Sequence, residues 1–458
     1  MRRVLRVALM AVGALVLLGL ALIGLLTLLR DPAPARVRGT GSQDGMPAAA
    51  SGDFARTAAL LTGTTLHQGN RLEILLDGDG TFPRLWTDLG AARRSVNAQV
   101  YYVSPGALLD TLASILSERA RAGVDVRFLY DGFGADVPDT TLAVLRAAGV
   151  RTAVFRPVRW YSLHRAQNRS HARVVVVDGA IGYTGGFGID DHWQGTGRSP
   201  DEWRDTNVRV EGPVVGQLQA AFAAAWADAT AELLVGERFF GYVDSAAVVA
   251  HATPVSRGGA RDSVAAPNSV TPREAPSVAG VLYSVATPGT TRGQRLFTVT
   301  ASAARERLWI ANAYFVPSDE MVGMLKAAAA RGVDVRLLLP GRHTDVRLTR
   351  WAARSHYETL LRGGVRIYEY QPSMMHAKTM VADGRWLSVG TMNLDARSFV
   401  HNEEVNVLAW DPAAAAALEA VFLADLAVSR ELQLAAFERR PWHERVPEWA
   451  ARQLTKVL

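Results

Sequence analysis

The chain carries nearly the same passage twice. HARVVVVDGAIGYTGGFG begins at His171 and HAKTMVADGRWLSVGTMN begins at His376. Each sets a basic residue two places after the histidine, Arg173 or Lys378, and an aspartate five places further on, Asp178 or Asp383. The likeness runs well past the motifs. VYYVSP at 100–105 is answered by AYFVPS at 313–318, GVDVRFLY at 123 by GVDVRLLL at 332, and AAGVR at 147 by RGGVR at 362. A repeat of this reach constrains the fold to two copies of one unit, and 458 residues suffice for both. In each copy an Ala-rich helical stretch precedes GVDVR, a β-branched run bounded by glycine and turn residues. Strand, helix, strand, helix, strand is the order of an α/β unit with a largely parallel sheet. The copies are 215 residues apart at Pro157 and Pro372 but 205 apart at the histidines, so the first has ten extra residues, RWYSLHRAQN among them, before its motif.

After the histidine the copies run without a gap. VVVV at 174–177 reads as a buried strand, Asp178-Gly179 and Asp383-Gly384 as tight turns, and IGYTGG and LSVGTM as the next strand. Each motif therefore lies on a β-hairpin, where residues i and i+2 share a face. His171 then stands beside Arg173, and His376 beside Lys378. A duplicated fold repeats its buried valines, but an imidazole and a cation repeated on an apolar strand need another reason, because an unpaired buried charge is costly.

Two imidazoles flanked by cations suit attack on a phosphodiester. One neutral histidine serves as nucleophile, the other, protonated, gives its proton to the leaving alkoxide, and the basic residues hold the non-bridging oxygens. Neither cofactor nor metal is required. Each histidine needs a carboxylate to set its tautomer, and Asp205 in EWRDTNVRVEG and Glu404 in FVHNEEVNVLAW lie at similar distances downstream. The expected pairing is within each half.

On these motifs the sequence resembles the phospholipase D superfamily, whose signature is His-x-Lys-x4-Asp followed by Gly-Gly/Ser-x-Asn, and within it is similar to the bacterial cardiolipin synthases. The likeness covers residues 70–458, including NAYFVPSDE at 312, RGVDVRLLLPGRHTD at 331, GGVRIYEYQPSMMHAK at 363 and GTMNLDARSFVHNEE at 390. It implies two α/β/α halves side by side with the active site on their pseudo-twofold axis, a phosphohistidine intermediate, and transfer of a phosphatidyl group to an alcohol or to water. Carried over by residue, His376, Lys378 and Asn393 match the second motif, with Asp383 as its structural aspartate and Glu404 as the carboxylate that orients a histidine. In the first half His171 and Asp178 match and Asp205 takes the carboxylate's place. Arg173 stands where the family has Lys and Gly188 where it has Asn, so one phosphate-contacting amide is missing.

Composition narrows the partners. There is no cysteine, which excludes disulfides and thiol chemistry. The formal charge is +6, but residues 1–50 contribute six Arg and two Asp, so the remainder is close to neutral and no nucleic-acid surface is expected. From Val7 to Leu29 there are 23 residues without a charge, which as a helix would reach about 35 Å, enough to cross a bilayer. A signal peptide's apolar region is shorter, about 7–15 residues. The expectation is an uncleaved single-pass anchor over 4–29, with Arg2, Arg3 and Arg6 keeping the amino end in the cytoplasm and the body on the extracytoplasmic side. A tether over 30–69, a first half over 70–250, a Pro-rich linker over 251–293 and a second half over 294–458 complete the expected organisation. The expected partners are the phospholipid bilayer, a phospholipid substrate such as phosphatidylglycerol, and an alcohol or water acceptor. Hydrolysis to phosphatidic acid, a nuclease-like phosphodiesterase and a catalytically lapsed lipid binder are the competing readings.

Overall fold

The computed structural model describes residues 10–22, 46–157, 168–240, 276–285 and 291–455. The first copy supplies strands β1 (His67–Leu76), β2 (Ser95–Val100), β3 (Asp125–Asp131), β4 (Arg151–Phe155), β5 (Val174–Val177), β6 (Ile181–Gly185), β7 (Trp203–Arg204) and β8 (Thr206–Glu211). The second supplies β9 (Ser277–Ser284), β10 (Arg307–Asn312), β11 (Asp334–Pro340), β12 (Arg366–Tyr370), β13 (Met374–Met375), β14 (Lys378–Ala382), β15 (Trp386–Gly390), β16 (Glu404–Trp410) and β17 (Ser429–Glu431). Fifteen of them form one sheet in the order β17-β12-β11-β10-β14-β15-β16-β9-β1-β8-β6-β5-β2-β3-β4. From one edge the run β4-β3-β2-β5-β6-β8-β1 answers β12-β11-β10-β14-β15-β16-β9, which starts one strand in from the other edge, beside β17, so the sequence repeat is also a repeat of strand order.

The sheet is mixed, not largely parallel as the order of elements predicts. Only β2, β3, β4 and β10, β11, β12 run parallel within it; the remaining ladders are antiparallel. The turns dictate this. Asp178 and Gly179 have φ of 55° and 64°, Asp383 and Gly384 of 50° and 62°, a left-handed pair that turns the chain between the paired Val177 and Ile181 and between Ala382 and Trp386 and permits only antiparallel neighbours. Both aspartates have a second task. Asp178 accepts from the backbone N–H groups of Arg93, Arg94 and Ser95, and Asp383 from those of Arg305, Glu306 and Arg307. Each carboxylate thus locks its hairpin to the start of β2 or β10.

Helices cover both faces. Residues 77–90, 107–121 and 139–147 pack on one face of the first copy, and residues 292–303, 319–330 and 347–362 on that of the second. On the opposite face the helices Val214–Thr230 and Pro412–Leu426 share one core, where Val208, Val210, Phe222 and Trp226 join Val405, Val407, Leu418 and Phe422. The second of these helices has a complete start: Asp411 caps the N–H groups of Ala413 and Ala414, and Pro412 occupies the first turn, where its missing N–H costs nothing. Because this core crosses the seam and β9 pairs with both β1 and β16, the two copies form one hydrophobic unit.

The tether reaches too far: within 30–69, the segment Gly52–Thr62 is a helix capped by Ser51, and its Phe54, Ala55 and Ala58 are buried in the second copy's core. The linker also holds a strand, since SVAGVLYS forms β9 at the centre of the sheet. Its Pro, Ser and Gly neighbours hid a run whose Ala279 and Leu282 are wholly buried; residues 251–275 and 286–290 lie outside the described residues. Of the expected anchor, residues 10–22 are helical with exposed apolar side chains, and the rest lies outside the described residues. No described helix is long and apolar enough to cross a membrane.

Candidate active site

His171 and His376 stand just ahead of β5 and β14, and both are buried. The alternation of the strand places each beside its cation. Lys378 Nζ lies 2.9 Å from His376 Nε2, and Arg173 Nη1 lies 3.1 Å from His171 Nε2. Both cations also donate to the carbonyl of the histidine they accompany.

The carboxylates are exchanged between the copies. His376 Nδ1 meets Asp205 Oδ2 at 2.8 Å, while His171 Nδ1 lies 3.0 Å from both oxygens of Glu404. The within-half pairing expected from spacing is therefore corrected: each histidine leans on the other copy. One short parallel ladder and one isolated parallel bridge cause the crossing. β13, directly before His376, pairs with β7, directly before Asp205, and His376 N–H donates to the carbonyl of Arg204 at 2.7 Å. Ser170, directly before His171, likewise bridges to Glu403, whose N–H donates to the carbonyl of Arg169 at 2.8 Å. Met374 and Met375, which form the β13 side of that ladder, are buried.

Burial dominates the electrostatics. It lowers His376 to about 3, with Lys378 adding to the effect against the pull of Asp205. His171 is driven well below its ordinary value by burial and then by Arg173 and Lys378. Both imidazoles are accordingly neutral at rest. Lys378 falls to about 7 through burial, opposed by Asp205. Burial raises Glu404 to about 7 in spite of hydrogen bonds from Thr391 and Ser398. For Asp205 burial pushes upward too, but His376, Lys378 and the Trp193 indole outweigh it and hold the group below the ordinary carboxylate range. A buried cluster of two basic side chains, two carboxyl groups and two neutral imidazoles is suited to receiving a phosphodiester anion. Among the described residues no cluster of three or more His, Asp or Glu is arranged to hold a metal ion.

Asn393 is buried beside Ser398, whose Oγ accepts from its backbone N–H, and its side-chain oxygen has no partner. At Gly188, the counterpart position, there is no room for that side chain. A Cβ there would lie 2.8 Å from the ring of Trp193.

Several residues that sequence reasoning passed over belong to the site. Tyr101 meets His171 edge-on with ring centroids 4.8 Å apart, and Tyr314 meets His376 at 6.0 Å; Arg173 and Lys378 lie over the same two rings. They occupy matching places in VYYVSP and AYFVPS, so the repeat itself was the available signal. Trp193 and Trp203 flank His376 at 5.2 and 4.9 Å, and no repeat marks them, because the second copy has no equivalent indoles. Trp160, Tyr161, His164 and Arg165 of the ten-residue excess lie outside the described residues.

The family described as "Cardiolipin synthase, PLD-like domain" matches residues 85–226 and 298–426. The chain is 31% identical to a cardiolipin synthase of Alkalihalophilus pseudofirmus over 84% of its own length and 72% of the relative's. It is 34% identical to one from a Geobacillus species over the same shares. With the probable cardiolipin synthase YwiE of Bacillus subtilis the identity is 32%, over 85% of this chain and 72% of that one. Among solved structures, the phosphatidylserine synthase of Haemophilus influenzae superposes with a TM-score of 0.62 at 12% identity, covering 88% of this chain and 99% of that one. At that identity the likeness establishes the fold alone.

Proposed function

The chain belongs to the phospholipase D-like family of the cardiolipin synthases, a phospholipid synthase of the phosphatidyltransferase kind, and we propose that its substrate is phosphatidylglycerol and its product cardiolipin or a related phospholipid. The observation that carries this reading is the crossed pair of dyads. Each Nδ1 is held by a carboxylate of the other copy, which leaves each Nε2 at the face where Arg173 and Lys378 gather.

One Nε2 attacks phosphorus, and the bond to the first alcohol breaks as the second imidazole, neutral in the free protein but favoured in its protonated form once the phosphodiester anion lies beside it, gives that alkoxide its proton. The phosphatidyl group is then held on the first imidazole. The second, now neutral, takes the proton of an incoming hydroxyl, whose oxygen attacks phosphorus and frees the first imidazole. Arg173 and Lys378 hold the non-bridging oxygens through both steps, and Asn393 adds its amide. Asp205 and Glu404 stabilise each imidazolium as it forms. Tertiary burial supports transfer to an alcohol, since water exclusion protects an intermediate that water would otherwise consume.

The mirrored strand order supports a pseudo-twofold axis through this site. For the amino end we propose a single-pass anchor with the body on the extracytoplasmic side, on the strength of the uncharged run from Val7 to Leu29 and the arginines before it.

The test uses purified full-length protein in mixed micelles of phosphatidylglycerol, with and without a second alcohol, and mass spectrometry of the lipids. Cardiolipin or a phosphatidyl-alcohol that is absent with His376→Ala supports the reading. Phosphatidic acid alone makes the protein a hydrolase, and no turnover by folded protein refutes a lipid substrate of this kind.

A further inference from the structure

The two copies hold their carboxylates by different means. Around Glu404, Thr391 Oγ1 donates at 2.6 Å and Ser398 supplies a second hydroxyl. After the histidines the two copies run without a gap, 205 residues apart, and in that register Thr391, Asn393 and Ser398 answer Gly186, Gly188 and Trp193. Two side chains are therefore absent from the first copy, and one small side chain has become an indole. The space explains the exchange. A Cβ at Gly186 would lie 2.3 Å from an Asp205 oxygen, and one at Gly188 2.8 Å from the Trp193 ring. Neither glycine has a left-handed φ, so it is room and not backbone conformation that excludes a side chain. Trp193 is 2% exposed, and its Nε1 donates to Asp205 Oδ2 at 2.9 Å, the oxygen that holds His376 Nδ1.

We propose that Trp193 is a positioning residue for the transfer reaction: in one side chain it fills the place of the asparagine that the first copy lacks and replaces the hydroxyl donors that hold the carboxylate in the other. The inference rests on the phosphatidyltransferase reading above. Gly188 is then not the mark of a decayed half. It is the small partner that a large ring requires, and restoring asparagine there without removing the ring damages the site. The indole N–H is a donor only, so it holds Asp205 as an acceptor and fixes which oxygen faces the imidazole. Its edge-on contact with His376, together with Trp203, keeps that imidazole between apolar walls.

The experiment compares wild type, Trp193→Phe, Gly188→Asn and Gly188→Asn/Trp193→Ser, each checked for folding by circular dichroism and melting. Total turnover of phosphatidylglycerol is measured, together with hydrolysis of bis(p-nitrophenyl) phosphate by the same preparations. Trp193→Phe keeps the bulk and loses the donor. It is expected to lower kcat at least about tenfold, as for loss of a hydrogen bond to a charged group, with KM within about twofold. It should also move the acid limb of kcat/KM to higher pH, because Asp205 loses a donor that favours its anion. Gly188→Asn is expected to lose at least about tenfold, and the double variant to regain about tenfold over it, as for coupled neighbours. Trp193→Phe with wild-type kcat and an unmoved acid limb would overturn the proposal, as would a double variant no better than Gly188→Asn. If wild type cleaves only the soluble diester, the lipid reading fails while that substrate still decides the role of Trp193.

Discussion

Asp205→Asn is the sharpest probe of the crossed site. The carboxylate is wholly buried, and its Oδ2 receives both His376 Nδ1–H at 2.8 Å and Trp193 Nε1–H at 2.9 Å while Oδ1 accepts from the Thr206 N–H at 2.8 Å. An amide fits the space but not the donors. With its NH2 toward the imidazole it faces the indole donor and forces the His376 proton onto Nε2; turned over, it faces the Thr206 N–H. Either way one buried donor is left opposed, at about 1–3 kcal/mol, and no anion remains to stabilise the imidazolium. A loss of about 10²–10⁴ in kcat is expected, or about 3–5 kcal/mol of barrier, with KM nearly unchanged. The assay is phosphatidyl transfer in phosphatidylglycerol micelles, accompanied by nitrogen-15 spectra of histidine-labelled protein assigned with His171→Ala and His376→Ala. The His376 signals should shift, to the other tautomer when the amide NH2 faces the imidazole, and those of His171 stay in place. Kinetics within about fivefold of wild type, or a shift confined to His171, would refute the exchange of partners.

Two further outcomes follow from the buried charges. Burial brings Lys378 down to about 7, so in the free enzyme its ammonium is lost as pH rises through that value; kcat/KM should fall along a basic limb near 7, and Lys378→Arg should carry that limb upward by more than about one unit because a guanidinium stays charged. Arg204, buried with Asp425 at 2.8 Å and Asp77 at 3.2 Å, ties the first copy to the helix Pro412–Leu426; Arg204→Met strands two carboxylates and should cost about 3–5 kcal/mol in urea unfolding, whereas a loss under about 1 kcal/mol would show the triad to be dispensable.

Much of this site was legible in the chain. The hairpins followed from Asp-Gly turns between β-branched runs, and the neighbourhood of each histidine and its cation followed from a period of two. Asp178 and Asp383 stand out in the chain as the repeated aspartates of the two motifs, whereas the N–H groups at the starts of β2 and β10 from which they accept are far away in sequence. β9 was hidden inside a stretch read as linker, because propensity and composition around it favour a loop while its burial is conferred by strands from both copies. Tyr101 and Tyr314 were on the page as parts of a repeat, yet nothing local distinguishes an aromatic that packs in a core from one that packs on a catalytic imidazole.

The sequence by itself determined that there would be two equivalent histidines, two cations and two downstream carboxylates, because periodicity acts between neighbours on one strand. Which carboxylate serves which histidine was decided only in the tertiary structure. Asp205 and Glu404 are equivalent by spacing, and the choice falls to β7 against β13 and to Ser170 against Glu403, contacts between residues far apart in the chain. The same holds for Trp193, whose indole replaces a missing amide only because folding brings its ring against Gly188 and its N–H against Asp205. Local patterns state what each strand displays; close packing decides what each display meets.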